Sequence, residues 1–181
     1  MSKPDKVYKL LGTHGNSKRV ELDFYQTPRI AIEKLLEKED FQNKILEPCC
    51  GQGAISKVLT ENGYDVESSD IANRGFGSVK DFFDITHTNR DIITNPPYNL
   101  ALEFVQHALN IVDASAKIAM LLRIQFLESK KRRILFDTNQ LKNVYVFSER
   151  ISCDEKNTNA ICFCWYVWQR GFNGKPTLDW I

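Results

Sequence analysis

Residues 44–63 run from a short apolar segment, Lys44-Ile45-Leu46-Glu47-Pro48, through Cys49-Cys50-Gly51-Gln52-Gly53 into a helical stretch, Ala54 to Asn62, which Gly63 stops. A strand that turns on glycine directly into a helix leaves its next strand parallel, because the helix carries the chain back along the sheet. The rest of the sequence repeats that grammar. Asp65 to Ser69 reads as a second strand, ending at Asp70. Asp91-Ile92-Ile93-Thr94 reads as a buried strand halted by Pro96-Pro97, with a helix from Leu100 to Val112 behind it. Lys117 to Leu122 is a further strand, followed by a basic helical segment near 129–137. Upstream, Thr27 reads as an N-cap with Pro28 at the first helical position, opening a helix to Glu39. Residues 72–90 are irregular apart from a short apolar piece, Val79 to Phe83.

The ending breaks the pattern. Two β-rich runs, Asn143 to Ser148 and Ala160 to Gln169, are separated by polar Ser152 to Asn159, and so short a hairpin loop requires antiparallel pairing. The expectation is an α/β sandwich: a mostly parallel sheet, helices on both faces and an antiparallel hairpin at one edge. With 181 residues and 43% hydrophobic content the chain has material for one core, and a second domain of ordinary size does not fit. The domain reading is a basic arm over 1–22 and a single domain over 23–181.

Charge and cysteine content narrow the function classes. The 24 basic and 23 acidic residues leave a net charge of +1, so contact with a polyanion has to come from local patches. Two such patches exist. Residues 1–20 carry Lys3, Lys6, Lys9, Lys18 and Arg19 against Asp5; residues 123–133 carry Arg123, Lys130, Lys131, Arg132 and Arg133 against Glu128. Either is also the ordinary composition of a solvated tail or helix face. No apolar run approaches the ~18 residues of a membrane span, and the N-terminus lacks an apolar signal core. Five cysteines, an odd number without CxxC spacing, predict reduced thiols, a cytoplasmic location and no metal. Cys162 and Cys164 alternate and share one strand face, while Trp165 and Trp168 take opposite faces.

Three constellations carry chemistry. The Gly51-Gln52-Gly53 turn lets a ligand approach the backbone, but Ser56 replaces the third glycine of the dinucleotide fingerprint, which disfavours a dinucleotide. Asp70, at the end of the next strand, can accept hydrogen bonds from ribose hydroxyls. Asn95-Pro96-Pro97-Tyr98 follows a buried strand, and at average residue frequencies such a tetrapeptide occurs by chance in fewer than about one in a thousand chains of this length. As pure structure it is a rigid turn that ends a strand. As chemistry it offers acceptors without donors, the Asn95 side-chain carbonyl and the Pro96 carbonyl, beside the flat ring of Tyr98. That suits an amino group on a planar system.

On these residues the chain resembles the S-adenosylmethionine-dependent adenine-N6 DNA methyltransferases marked by Asn-Pro-Pro-Tyr, and more narrowly the small phage-type members that lack a separate target-recognition domain. The resemblance runs from about Asp23 to the C-terminus and includes Phe147-Ser148-x-Arg150-Ile151. It implies a class I Rossmann-like sandwich with a seven-stranded sheet, S-adenosylmethionine as cofactor and S-adenosylhomocysteine as product. Tyr25, Thr27 and Pro28 match the motif that seats the methionine end. Glu47, Pro48, Cys49, Gly51 and Gly53 match the glycine motif, Asp70 the ribose acid and Ile71 an adenine neighbour. Asp81 and Phe82 match the adenine-contacting pair, with Asp84 a rival for the acid. Asn95, Pro96, Pro97 and Tyr98 match the catalytic motif, which implies base flipping onto Tyr98.

The resemblance further implies DNA as partner, bound through Arg123, Lys130, Lys131, Arg132 and Arg133, with recognition from loops or a second copy of the chain, in a bacterial cell or phage-infected host. Two competing readings stand beside it. One keeps the cofactor and changes the acceptor to an RNA base amine or a protein glutamine. The other is an inactive nucleic-acid-binding subunit, which would have had no need to keep Asn95 to Tyr98 intact.

Overall fold

The computed structural model describes residues 26–151 and 162–181. In chain order the elements are α1 (Arg29–Lys38), β1 (Lys44–Glu47), α2 (Ala54–Glu61), β2 (Asp65–Asp70), β3 (Ser78–Val79), β4 (Asp91–Thr94), α3 (Ala101–Ile111), β5 (Lys117–Arg123), α4 (Lys130–Phe136), β6 (Leu141–Val146), β7 (Phe163–Gln169) and β8 (Thr177–Trp180). The strands form one eight-stranded sheet in the order β3-β2-β1-β4-β5-β7-β6-β8. All pairs are parallel except those of β7, which runs antiparallel to both β5 and β6. The α/β sandwich with an antiparallel hairpin is therefore what the chain forms.

Two details differ from expectation. The sheet has eight strands instead of seven: Thr177–Trp180 adds a parallel edge strand beside β6. Its four residues are all exposed, so no apolar alternation marked it. Helix α1 begins at Arg29, with extended Pro28 in the capping position and no side-chain cap. Thr27 does not cap the helix, because its hydroxyl is engaged by Asn95. The expected hairpin loop at Ser152 to Asn159 and the arm over 1–22 lie outside the described residues.

Burial explains the continuous apolar run of β7. Phe163, Trp165 and Val167 pack into one cluster with α1 and α2, while Cys164, Tyr166 and Trp168 pack into the other with α3 and α4. A strand covered on both faces has no polar side to alternate with. Both tryptophans are fully buried, and the Trp165 indole N–H donates to the Ala31 carbonyl of α1 at 2.7 Å.

At the opposite end of the sheet from the candidate site, buried Glu39 joins three elements. Lys117 Nζ donates to it at 2.6 Å, Tyr145 Oη at 2.7 Å, and Asn143 Nδ2 donates to the same oxygen as the tyrosine. Burial alone would raise its carboxyl pKa, but these hydrogen bonds outweigh burial and hold it below the ordinary carboxylate range. Glu39→Ala removes the carboxylate to which Lys117, Tyr145 and Asn143 donate, leaving Lys117 the Asp40 carbonyl at 2.7 Å, and is expected to cost about 3 kcal/mol in urea unfolding at neutral pH. Because the folded pKa is depressed, this contribution is present above the unfolded pKa and is lost as pH falls through the folded one. The gap between wild type and variant should accordingly close in acid.

Candidate active site

The chain passes from β1 to β2 on one side and places β4 on the other, which makes the β1/β4 boundary the sheet's switch point. The glycine turn, Asp70 and the Asn-Pro-Pro-Tyr segment all leave strands at their carboxyl ends around this boundary. Three of the constellations found in the sequence thus meet at one edge of the sheet.

The turn is tied to β2 by hydrogen bonds. Cys50 N–H donates to the Ser69 carbonyl at 2.9 Å, and Gly51 N–H donates to Asp70 Oδ2 at 2.9 Å. The other oxygen, Oδ1, accepts from Ala72 N–H at 2.9 Å, with Arg74 Nε 3.9 Å away. Asp70 is 8% exposed, so its carboxylate is held by the backbone while each oxygen keeps a second lone pair. Gly51 and Gly53 both have positive φ, 53° and 82°. At Gly53 a Cβ would lie 2.7 Å from the Phe76 ring, and Lys57 Nζ sits over the same ring at 5.3 Å. Phe76 was not singled out from the sequence; its flanking Gly75 and Gly77, both at positive φ, are the signal that it occupies a tight turn.

Glu47 is 1% exposed beneath the turn and accepts a hydrogen bond from the Ser56 hydroxyl, which also lies 2.6 Å from Ser68 Oγ. Ser56, at the position of the missing third glycine, thus serves as a partner for the buried acid. Burial, augmented by the charge of Asp70, pushes the Glu47 carboxyl up to about 7. Burial and the same two acids keep the neighbouring thiols protonated: Cys50 is pushed up to about 12 and Cys49 well above its ordinary value. Neither is placed to act as a thiolate.

At the end of β4, Asn95 Nδ2 donates to Thr27 Oγ1 at 3.1 Å, and Thr27 is buried. This bond orients the amide across the start of α1, with its carbonyl end turned away from Thr27. Pro96 is buried, while Pro97 and Tyr98 are half-buried. The Tyr98 ring carries the Arg123 guanidinium 5.0 Å above it and meets the Phe163 ring at 5.7 Å. Phe163 was missed in the sequence because it belongs to the buried strand β7.

The remaining candidates separate. Pro48 is buried and Ile71 is 40% exposed beside Asp70. Asp81 caps a one-turn helix by accepting from Phe83 N–H at 3.0 Å. Phe82 is core, stacked on Phe104 at 4.9 Å, whereas its neighbour Phe83 is 41% exposed. Asp84 is exposed in the same turn, and Tyr25 lies outside the described residues. The basic patch divides in two. Arg123 ends β5 beside Tyr98, while Lys130 to Arg133 sit on α4. There Arg132 caps the Gln125 and Glu128 carbonyls and stacks on Phe126, Arg133 pairs with Asp137 at 2.6 Å, and Lys130 and Lys131 are exposed. Among the described residues no group of His, Cys, Asp and Glu is placed to hold a metal ion, and no helix is long and apolar enough to cross a membrane.

Neither a protein-family model nor a curated protein matches the sequence. Solved structures do match. A proposed RNA methyltransferase from Pyrococcus horikoshii superposes with a TM-score of 0.67 at 16% identity, over 97% of this chain and 100% of that one. The modification subunit of a proposed type I restriction enzyme from Vibrio vulnificus gives 0.64 at 13% identity, over 94% of this chain and 48% of its own. A proposed class I S-adenosylmethionine-dependent methyltransferase from Listeria monocytogenes gives 0.61 at 13%, over 98% and 72%. The fold is that of the class I methyltransferases. This chain spans about half the length of the Vibrio subunit and the whole of the Pyrococcus protein.

The Glu47 environment makes a prediction independent of activity. An acid whose pKa is raised on folding from 4.5 to about 7 lowers stability progressively as pH rises through that window. Glu47→Gln keeps an acceptor for Ser56 without the charge. It should be more stable than wild type by about 3 kcal/mol above pH 8 and nearly equal to it at pH 4, measured by urea unfolding across pH.

Proposed function

We propose that this chain transfers a methyl group from S-adenosylmethionine to the exocyclic N6 amine of adenine in DNA. The observation that carries the reading is the Thr27–Asn95 hydrogen bond, which orients an amide at the carboxyl end of β4, the strand paired with the one that leads into the glycine turn. Asn95 and the Pro96 carbonyl would accept the two amine hydrogens and favour a nitrogen whose lone pair leaves the ring plane, an electrostatic effect preset by the fold. Tyr98 would stack on the extruded base.

The residues present fit the cofactor. The Gly51–Gly53 turn presents backbone at the end of β1, the Asp70 oxygens have lone pairs left for ribose hydroxyls, and Ile71 and Phe83 offer exposed apolar surface for an adenine ring. Bound there, the cofactor would supply an electrophilic methyl on sulfur. The protein's part is alignment of donor and acceptor, which requires neither a nucleophilic side chain nor a metal. This is consistent with the protonated thiols at the turn.

The likeness to a restriction-enzyme modification subunit supports DNA as substrate. A second reading, an amine on an RNA base, is favoured by the likeness to the Pyrococcus protein over nearly the full length of both chains.

Incubation with S-adenosylmethionine and unmethylated genomic DNA, followed by nucleoside mass spectrometry, tests the proposal. N6-methyldeoxyadenosine is expected from wild type, and Asn95→Ala should lose at least about a hundredfold in kcat with cofactor affinity retained. Methylated nucleoside from RNA alone would move the reading to the second substrate. Asp70→Ala should weaken S-adenosylhomocysteine binding about tenfold by calorimetry, with folding checked by circular dichroism. Unchanged affinity would remove Asp70 from the cofactor site.

A further inference from the structure

Arg123 stands apart from the other basic residues of its patch. It ends β5 directly opposite Phe163 of β7, and its backbone is pinned: the buried Tyr166 hydroxyl donates to the Arg123 and Ile124 carbonyls at 3.2 and 3.1 Å. Its side chain is exposed and makes no ion pair among the described residues. Instead the guanidinium rests on the Tyr98 ring at 5.0 Å. On α4, Arg132 is committed to backbone carbonyls and to Phe126, Arg133 pairs with Asp137 in solvent, and Lys130 and Lys131 are exposed; it is the Tyr98 contact that sets Arg123 apart.

The stack occupies a place the proposed reaction needs. A planar base inserted between the guanidinium and the ring requires about 7 Å, two contacts of roughly 3.5 Å, so the cation has to leave that face when a base enters. Phe163 packs against the same ring, its centroid 5.7 Å away and its plane tilted by 37°. An exposed cation on an aromatic face is weakly held, whereas a guanidinium–phosphate pair is charge-assisted and two-pronged. The exchange therefore favours the bound state.

We infer that Arg123 is a positioning residue that grips the backbone phosphate of the nucleotide whose base stacks on Tyr98, and that its contact with Tyr98 is the resting place it leaves as the base enters. This rests on the nucleic-acid reading above. It goes beyond that reading in assigning the target-nucleotide phosphate to Arg123 and not to the α4 residues.

Fluorescence anisotropy of the full chain with a labelled DNA duplex across a range of KCl tests this without requiring turnover. In Arg123→Ala the affinity should fall about tenfold at low salt, and the slope of log K against log[KCl] should shallow by about 0.9, one phosphate contact. Arg123→Lys should keep the wild-type slope, because it keeps the charge. Arg123→Gln keeps a flat amide over Tyr98 without the charge and should behave as Arg123→Ala; it replaces that variant if alanine impairs folding. A merely structural role would not move the slope, and an unchanged slope in both uncharged variants overturns the inference. An Arg123-dependent slope with RNA but not with DNA overturns the assignment to DNA. In the methylation assay the uncharged variants should raise KM for DNA well beyond their effect on kcat. Wild type that binds DNA through Arg123 but transfers no methyl would sink the proposed reaction and leave the phosphate contact standing.

Discussion

The antiparallel seam between β5 and β7 organises the molecule. Seven consecutive residue pairs join the two strands, from Lys117 opposite Gln169 to Arg123 opposite Phe163. Their side chains feed both core clusters, so helices on the two faces pack against the same two strands. Such strands are immobilised by burial on both sides, and a shift of one residue in register would exchange the two cores. At one end the seam anchors Lys117 to the Glu39 network. At the other it delivers Arg123 and Phe163 to the Tyr98 ring. The geometry around the Asn-Pro-Pro-Tyr segment is thus set by core packing rather than by the loop alone.

Much of this was legible from residues whose local signal and tertiary role agree. The alternation of apolar strand and helix leads directly to a mostly parallel sheet. The two long β runs at 143–148 and 160–169, read as a hairpin, do pair antiparallel as β6 and β7, although β6 ends at Val146 and β7 begins at Phe163, a wider gap than the short loop expected. Glycine and proline marked the turns at Gly51–Gly53 and Pro96–Pro97. The failures have physical causes. Thr27-Pro28 carries a good capping pattern, but the hydroxyl has a competing partner 68 positions away in sequence. The last edge strand is four exposed residues joined to β6 by backbone hydrogen bonds, and backbone pairing leaves no pattern in side-chain hydropathy. Arg123 and Lys130 to Arg133 look like one basic patch in sequence. The turn after β5 separates them into a cation beside the Asn-Pro-Pro-Tyr segment and a helix on which two of four charges are already engaged.

The electrostatics of the glycine turn place a constraint on any chemistry performed there. Two acids lie close together under one short loop and fare differently. Asp70 receives two backbone N–H groups, while Glu47, helped only by the hydroxyl and backbone of Ser56, is pushed up by burial to about 7. The same field works against ionisation of Cys49 and Cys50, so the most nucleophilic side chains in the vicinity are chemically quiet. What remains at the β1/β4 boundary is a set of oriented acceptors: an amide tied to Thr27, proline carbonyls and carboxylate lone pairs, beside aromatic and apolar surface. The amide and proline carbonyls among them are poor nucleophiles and carry no proton to give. They stabilise positive charge and hold hydrogens in place, which is what a reaction needs when a neutral amine becomes transiently cationic on receiving an already activated carbon. In that setting the rate depends on how rigidly donor and acceptor are aligned. The proline pair, the buried threonine and the doubly buried strands behind them supply that rigidity.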